Sequence, residues 1–168
     1  MSAPRRPLRT VLLTVLGVAL LGGAYTAGAV QGESTPKVAV REALAMTPDA
    51  KGAPGRTLTL SRITIPAGLQ LALHHHAGTQ TAQIAQGTLT YTVKRGPAVV
   101  VRSGDAEHSK LVRKIKAGQT ADIKAGQWIV EQPTTVHFGA NKGKTKVVIL
   151  LATLFTTGSP SSIPDDHR

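Results

Sequence analysis

Hydrophobic and polar residues alternate with a period of two over most of the chain after residue 56. The clearest run is residues 57–65 (TLTLSRITI), and further β-like runs follow at 88–94, 119–123 and 146–156. Because successive side chains of a strand point to opposite faces, this pattern predicts β-strands buried on one side. Gly and Pro separate the runs, as is typical of turns. The pattern therefore predicts an all-β domain, a small antiparallel jelly-roll β-barrel.

The N-terminal 30 residues have a different pattern. Arg5, Arg6 and Arg9 precede a stretch of 20 uncharged residues that ends at Val30, with small residues at 27–29. A basic start, an apolar stretch and a small-x-small site are typical of a secretory signal peptide. The alternative is an uncleaved anchor in the inner membrane, because 20 uncharged residues could just span a bilayer. We expect an exported protein, periplasmic or secreted, whose contact with a membrane is confined to residues 1–29.

The remaining chain divides by composition into three parts. Residues 30–55 are predicted to be a linker or N-terminal arm, in which 38–45 could form a strand or a short helix. Residues 56–157 are predicted to form the barrel, with an additional hairpin at 96–116. The polar, proline-containing residues 158–168 are predicted to be a flexible tail.

Composition limits the chemistry. The chain has no cysteine, so a bound metal would need nitrogen or oxygen ligands. Twenty Lys and Arg against nine Asp and Glu give a formal net charge of +11, which favours anionic partners. Aromatic residues make up only 3% of the chain, so stacking platforms for single-stranded nucleic acid are scarce. We therefore expect a small-molecule ligand and no nucleic acid.

Histidines are the candidate chemical groups. If residues 69–76 form one strand, His74 and His76 share a face with Gln70 and Ala72, while Leu69, Leu71, Leu73 and His75 face the other way. A third histidine, His137, lies in a second β-rich segment far along the chain. Imidazole nitrogen is a common ligand of first-row transition metals. The spacing predicts a metal site in which His74, His76 and His137 converge.

At these residues the sequence resembles a cupin. The first cupin motif has glycine, His-x-His, glutamate and glycine at fixed spacing, and its positions here are Gly68, His74, His76, Gln80 and Gly87. The second motif has glycine, Pro-x-Gly, histidine and asparagine at fixed spacing; Gly126, His137 and Asn141 match it, while Gln132 and Thr134 stand in the Pro and Gly places. Gln80 stands where the family has glutamate. The resemblance covers residues 56–157.

The resemblance implies a small, often dimeric barrel that holds one divalent metal by three histidines and one glutamate. His74, His76 and His137 correspond to the histidine ligands, and Gln80 would be a weaker fourth ligand or would hydrogen-bond a bound water. Glu131 is the nearby acidic residue that could replace the missing carboxylate. Iron, nickel, manganese, zinc and copper all remain candidates for the metal.

Five further residues are candidates for roles around the predicted metal site, which forms a cup in the barrel. Tyr91 and Trp128 either fill the barrel or line the cup as substrate contacts. Gly68, Gly87 and Gly126 are expected to be turn residues that position the ligands.

Three functions fit these features. The first is an exported, dioxygenase-like metal enzyme acting on a small organic substrate. The second is a non-catalytic cupin of the cell envelope that binds a sugar or an organic acid. The third is a structural envelope protein without a metal. The cupin resemblance makes a homodimer a further expectation.

Overall fold

Strands account for all regular secondary structure in the computed structural model, which describes residues 37–166. In chain order they are β1 (Val40–Thr47), β2 (Arg56–Ile65), β3 (His74–His75), β4 (Gly78–Gln86), β5 (Thr88–Arg95), β6 (Val99–Ser103), β7 (Lys110–Ile115), β8 (Thr120–Lys124), β9 (Trp128–Glu131), β10 (Val136–Ala140), β11 (Val147–Thr156) and β12 (Ile163–Pro164). The predicted signal peptide, residues 1–29, lies outside the described residues. Within those residues, nothing forms a helix with the length and apolarity needed to cross a bilayer.

The strands form two sheets. One has the order β1-β2-β11-β4-β9-β6-β7, and the other has the order β12-β3-β10-β5-β8. Neighbouring strands run antiparallel, as in the pairing of β11 with β2 and β4. This arrangement confirms the prediction of an all-β, antiparallel jelly-roll fold.

The alternation seen in the sequence separates the core from the outer surface. In β11, Val147, Ile149, Leu151, Thr153 and Phe155 are buried, and the residues between them are more exposed. Apolar side chains from both sheets meet in a core that includes Ile65, Ile84, Val93, Val101, Ile123 and Ile129. Burial of this apolar surface is the main favourable contribution to folding.

The predicted N-terminal linker contains a strand. β1 pairs with β2 from Val40 opposite Thr64 to Thr47 opposite Leu58, with an irregularity between Ala43 and Ala45. All eight residues of β1 are exposed, because the strand lies at the edge of its sheet. Burial therefore imposed no alternation on this strand, which explains why its sequence was ambiguous between strand and helix.

The segment predicted to be a flexible tail also packs against the barrel. β12 pairs with β3, and the backbone amide of Asp165 donates to the carbonyl of Leu73 at 3.1 Å. Arg95 donates to both carboxylate oxygens of Asp165, at 2.6 and 2.7 Å. We refer to residues 159–166 as the C-terminal strap.

The three predicted turn glycines have positive backbone φ angles: +78° at Gly68, +82° at Gly87 and +83° at Gly126. At Gly87 an added Cβ would also lie 3.0 Å from the carbonyl oxygen of Lys146. The turn between β4 and β5 therefore needs glycine both for its conformation and for its space. The predicted additional hairpin is present as β6 and β7.

Candidate metal centre

The five-stranded sheet brings the three predicted histidines together, because β3 and β10 are neighbours in it. His74 of β3 lies directly opposite His137 of β10, and His76 follows β3 by one residue. Their ring centroids are 4.5 Å apart for His74 and His137, 4.9 Å for His74 and His76, and 5.1 Å for His76 and His137. One ring nitrogen from each lies within 4.8 Å of the others, so this group could hold a metal ion.

Backbone carbonyls orient all three rings. Each Nδ1 lies near a carbonyl oxygen: that of Ala72 at 2.7 Å for His74, that of Ser161 at 2.9 Å for His76, and that of Thr135 at 3.1 Å for His137. A carbonyl oxygen can only accept, so each Nδ1 carries the proton and donates. Each Nε2 then has a free lone pair, the form in which imidazole binds a metal.

The local backbone around His74 differs from the prediction. We expected one strand over residues 69–76 with leucines and histidines on opposite faces. Regular pairing covers only His74–His75, and Leu71 lines the same cavity as His74 and His76. The chain bends before β3, so strict alternation across this segment is lost.

Glu131 supplies a carboxylate to the cluster. It lies on β9 directly opposite Gln80 on β4, and both side chains are buried. Its Oε2 is 3.3 Å from Nε2 of His76, and its Oε1 is 3.5 Å from Nε2 of His137. The Gln80 amide nitrogen donates to Oε2. Because residues facing each other across an antiparallel pair share the same space, Glu131 replaces the acidic group that Gln80 lacks.

The donor atoms of this cluster fit a cation. Carboxylate oxygens face imidazole nitrogens that have lone pairs and no proton, a repulsive arrangement unless a positive charge lies between them. Nε2 of His76 and Oε1 of Gln80 are buried without a hydrogen-bond partner. Three imidazole nitrogens with one carboxylate suit a divalent first-row metal. Gln80, predicted as a weak ligand, therefore holds Glu131 and presents its own oxygen to the same cavity.

The electrostatics of the site favour the neutral forms of His74 and His137 beside an ionised Glu131. Burial, together with the neighbouring His137, lowers the pKa of His74 to about 4. Burial also lowers the pKa of His137. Burial alone would raise the pKa of Glu131, but His137 and His76 lower it to about 2. These protonation states are the ones that metal binding requires.

Tyr91 belongs to the same cavity. Its ring stacks on His137 with centroids 5.0 Å apart and planes inclined by 20°. Its hydroxyl group is buried among the site residues, and burial together with the charge of Glu131 raises its pKa well above the ordinary value. Tyr91 therefore lines the cup, which is one of the two predicted locations of its side chain.

Trp128 is not part of this cavity. Ile129 and Glu131 of β9 line it, so the alternation of the strand directs Trp128 to the opposite face. There the guanidinium carbon of Arg102 lies 5.9 Å from the Trp128 ring centroid. Trp128 therefore does not line the histidine cavity, and its role as a substrate contact stays a prediction.

The C-terminal strap supports the site in a way that sequence reasoning missed. Its Ser161 carbonyl accepts the hydrogen bond that orients His76. Oδ2 of Asp165 lies 3.9 Å from Nδ1 of His75. The polar and proline-containing composition of the strap gave no signal for this role. Strap and ligand strand are joined by the pairing of β12 with β3.

Removing residues 159–168 is expected to weaken zinc binding by about 10- to 100-fold, the usual effect of losing a group that orients a histidine ligand. Arg95→Gln, which breaks the ion pair with Asp165, is expected to have a smaller effect in the same direction. Competition titration with a zinc chelator measures both, and Arg113→Gln on the exposed face of β7 is the matched control. Unchanged zinc affinity in the shortened chain would contradict a supporting role for the strap.

No protein-family model and no curated protein matches this sequence. Solved structures do resemble the fold. A cupin 2 domain-containing protein from Halorhodospira halophila aligns with 81% of this chain and 77% of its own length, at a TM-score of 0.51 and 13% identity. A protein with a double-stranded β-helix domain from Klebsiella pneumoniae aligns with 76% of this chain and 85% of its own, at a TM-score of 0.49 and 16% identity.

At these identities the comparison concerns the fold alone, and it agrees with the topology described above. The chain has the cupin fold, as its two histidine motifs predicted. The three histidines of the two motifs lie together in the folded chain, and this cluster could hold a metal.

Proposed function

We propose that this protein is an exported, metal-dependent cupin enzyme with dioxygenase-like activity on a small organic substrate. The observation that carries the proposal is the convergence of three Nε2 atoms and the Glu131 carboxylate in one buried cavity. His74, His76 and His137 would hold the metal, and Glu131 would be the fourth ligand. A bound divalent metal would supply a Lewis acid that polarises substrate oxygen atoms.

The charge of the site favours an anionic substrate. Three neutral imidazoles and one carboxylate leave one net positive charge on a divalent ion. An enol that ionises on binding, or an organic acid, matches that charge. The Tyr91 hydroxyl, held in the cavity by the stacking of its ring on His137, is placed to hydrogen-bond such a substrate.

The walls of the histidine cavity are largely apolar. Apolar side chains surround the histidines, among them Leu71, Leu89, Ile129 and Leu151. Their low polarity strengthens electrostatic interactions inside the site, and it limits competing hydrolysis. This environment supports chemistry at the metal rather than simple storage of an ion at the surface.

The test begins with the full chain, expressed without a tag and with its own N-terminal segment. We expect one equivalent of a first-row metal per chain by mass spectrometry. We also expect oxygen uptake with at least one member of a panel of flavonols, diketones and thiols. A chain that binds none of zinc, iron, nickel, manganese or copper would contradict the proposal. Metal binding without turnover of any panel member would support the non-catalytic binding alternative instead.

Export is the second part of the proposal, and its support is the pattern of residues 1–29. Sequencing the N-terminus of the protein recovered outside the cytoplasm tests it. A mature N-terminus close to residue 30 is expected for a cleaved signal peptide. An intact N-terminus in the membrane fraction would support the anchored alternative.

A further inference from the structure

Arg41 of β1 lies at the boundary between the histidine cavity and a second, larger cavity. It pairs with Ile63 of β2 on the inner face of the sheet and lines both spaces. The histidine cavity has a volume of about 50 Å³, whereas the second cavity has about 320 Å³. Small-molecule sites start at about 300 Å³, so the larger cavity is the one with room for an organic ligand.

No carboxylate oxygen among residues 37–166 lies within 4.0 Å of the Arg41 guanidinium, and the carboxylate that acts on it electrostatically, that of Glu131, belongs to the histidine cavity. Two other arginines of the barrel form ion pairs: Arg62 with Glu42 at 3.2 Å and Arg95 with Asp165 at 2.6 Å. The hydrogen bond of Arg41 to Ser61 Oγ, at 3.4 Å, is long. Arg41 therefore offers most of its planar set of donors to the cavity.

The lining of the larger cavity indicates what else the ligand carries. Among residues 37–166, Arg41 is the one charged residue of this lining, and the hydroxyl side chains there include those of Thr57, Thr59, Ser61 and Thr153. A single guanidinium matches the charge and the planar shape of a carboxylate. A phosphate dianion would need a second cation, which this lining lacks. The hydroxyl groups suit a ligand that bears hydroxyl groups itself.

We propose that Arg41 binds the carboxylate of a small hydroxyl-bearing organic acid that occupies the larger cavity and reaches toward the histidine cluster. The two spaces are adjacent, because Arg41 lines both and the Phe155 ring, which lines the larger cavity, stacks on His76 with centroids 5.3 Å apart. The net charge of +11 also favours an anionic ligand. The part of the proposal in which the ligand reaches toward the histidines rests on the proposed function, but carboxylate binding by Arg41 does not.

The test is calorimetric titration of the full chain, stripped of metal by a chelator that is then removed. The probes are D-gluconate and D-glycerate, with D-glucitol as the uncharged polyol and inorganic phosphate as the competing anion. We expect Arg41→Gln to weaken binding of a hydroxy acid by at least about tenfold, as loss of a charge-assisted bidentate contact should. Arg41→Lys should retain part of the affinity, because it keeps the charge and loses the planar fork.

Arg62→Gln is the matched control, since Arg62 lies on the outer face of the neighbouring strand and is paired with Glu42. The Arg62→Gln variant should bind the hydroxy acids as tightly as the wild type. The Arg41→Gln variant should have the same metal content as the wild type. The proposal is overturned if neither acid binds, if Arg41→Gln binds as tightly as wild type, or if glucitol or phosphate binds as well as the acids. Because the titration uses metal-free protein, a failure to bind metal would refute the proposed function separately.

Discussion

The His76→Ala protein is expected to bind zinc at least about 100-fold more weakly than the wild type and to be purified without metal. Removing a direct ligand should cost more than the 10- to 100-fold typical of residues that merely orient one. His76 is 2% exposed, and its Nε2 faces Glu131 at 3.3 Å. The substitution would therefore remove a metal-binding nitrogen, and the negative charge of the buried Glu131 carboxylate would be less well balanced. Zinc is the appropriate probe because it has no redox chemistry.

His74→Ala provides a second version of this test, because His74 is less buried than His76 and its loss disturbs the core less. His108→Ala is the matched control, since His108 lies in an exposed loop and interacts with Asp105. Circular dichroism would establish that each variant is folded. Wild-type zinc affinity in a folded His74→Ala or His76→Ala protein would contradict the three-histidine centre.

Glu131→Gln is expected to lower zinc affinity by about tenfold or more, because it removes the charge that offsets half of the charge of the metal. The exchange variant Gln80→Glu/Glu131→Gln should recover most of that loss. The two positions face each other across β4 and β9, so a carboxylate from either strand can reach the same space. Competition titration of the single and double variants measures both effects.

Gln83→Glu is a control for added charge, because residue 83 pairs with Trp128 on the same two strands and is exposed. It should leave zinc affinity unchanged. If Glu131→Gln binds zinc like the wild type, Glu131 is not a ligand. If the single variant is weakened but the exchange variant does not recover, the position of the carboxylate, and not only its charge, determines affinity.

The relation between Gln80 and Glu131 shows how a carboxylate can stay beside the histidines while a motif changes. The resemblance predicted a weak site, because the family's glutamate is replaced by an amide. In the folded protein the amide of Gln80 donates to a carboxylate from the neighbouring strand. The sequence indicates Glu131 as the nearby candidate for this role, but it does not show which face of β9 Glu131 occupies or which strand β9 pairs with.

Several features were determined by the sequence itself. Period-two alternation specified strands and their buried faces, because each strand must place its apolar residues toward the core. The glycines at residues 68, 87 and 126 marked turns, since all three adopt the left-handed conformation that glycine tolerates. The histidine spacing predicted a cluster, and the fold brings His74, His76 and His137 together.

Tertiary structure alone decided the surroundings of that cluster. Strand β1 has no buried face to show in its sequence, yet its pairing with β2 brings Arg41 to the cavity. The strap resembles a free tail in composition, yet its pairing with β3 places the Ser161 carbonyl beside His76. Local alternation reports whether a residue is buried, but it carries no information about which distant strand will lie beside it. The partners of the histidines are set by that pairing, and they became visible only in the folded chain.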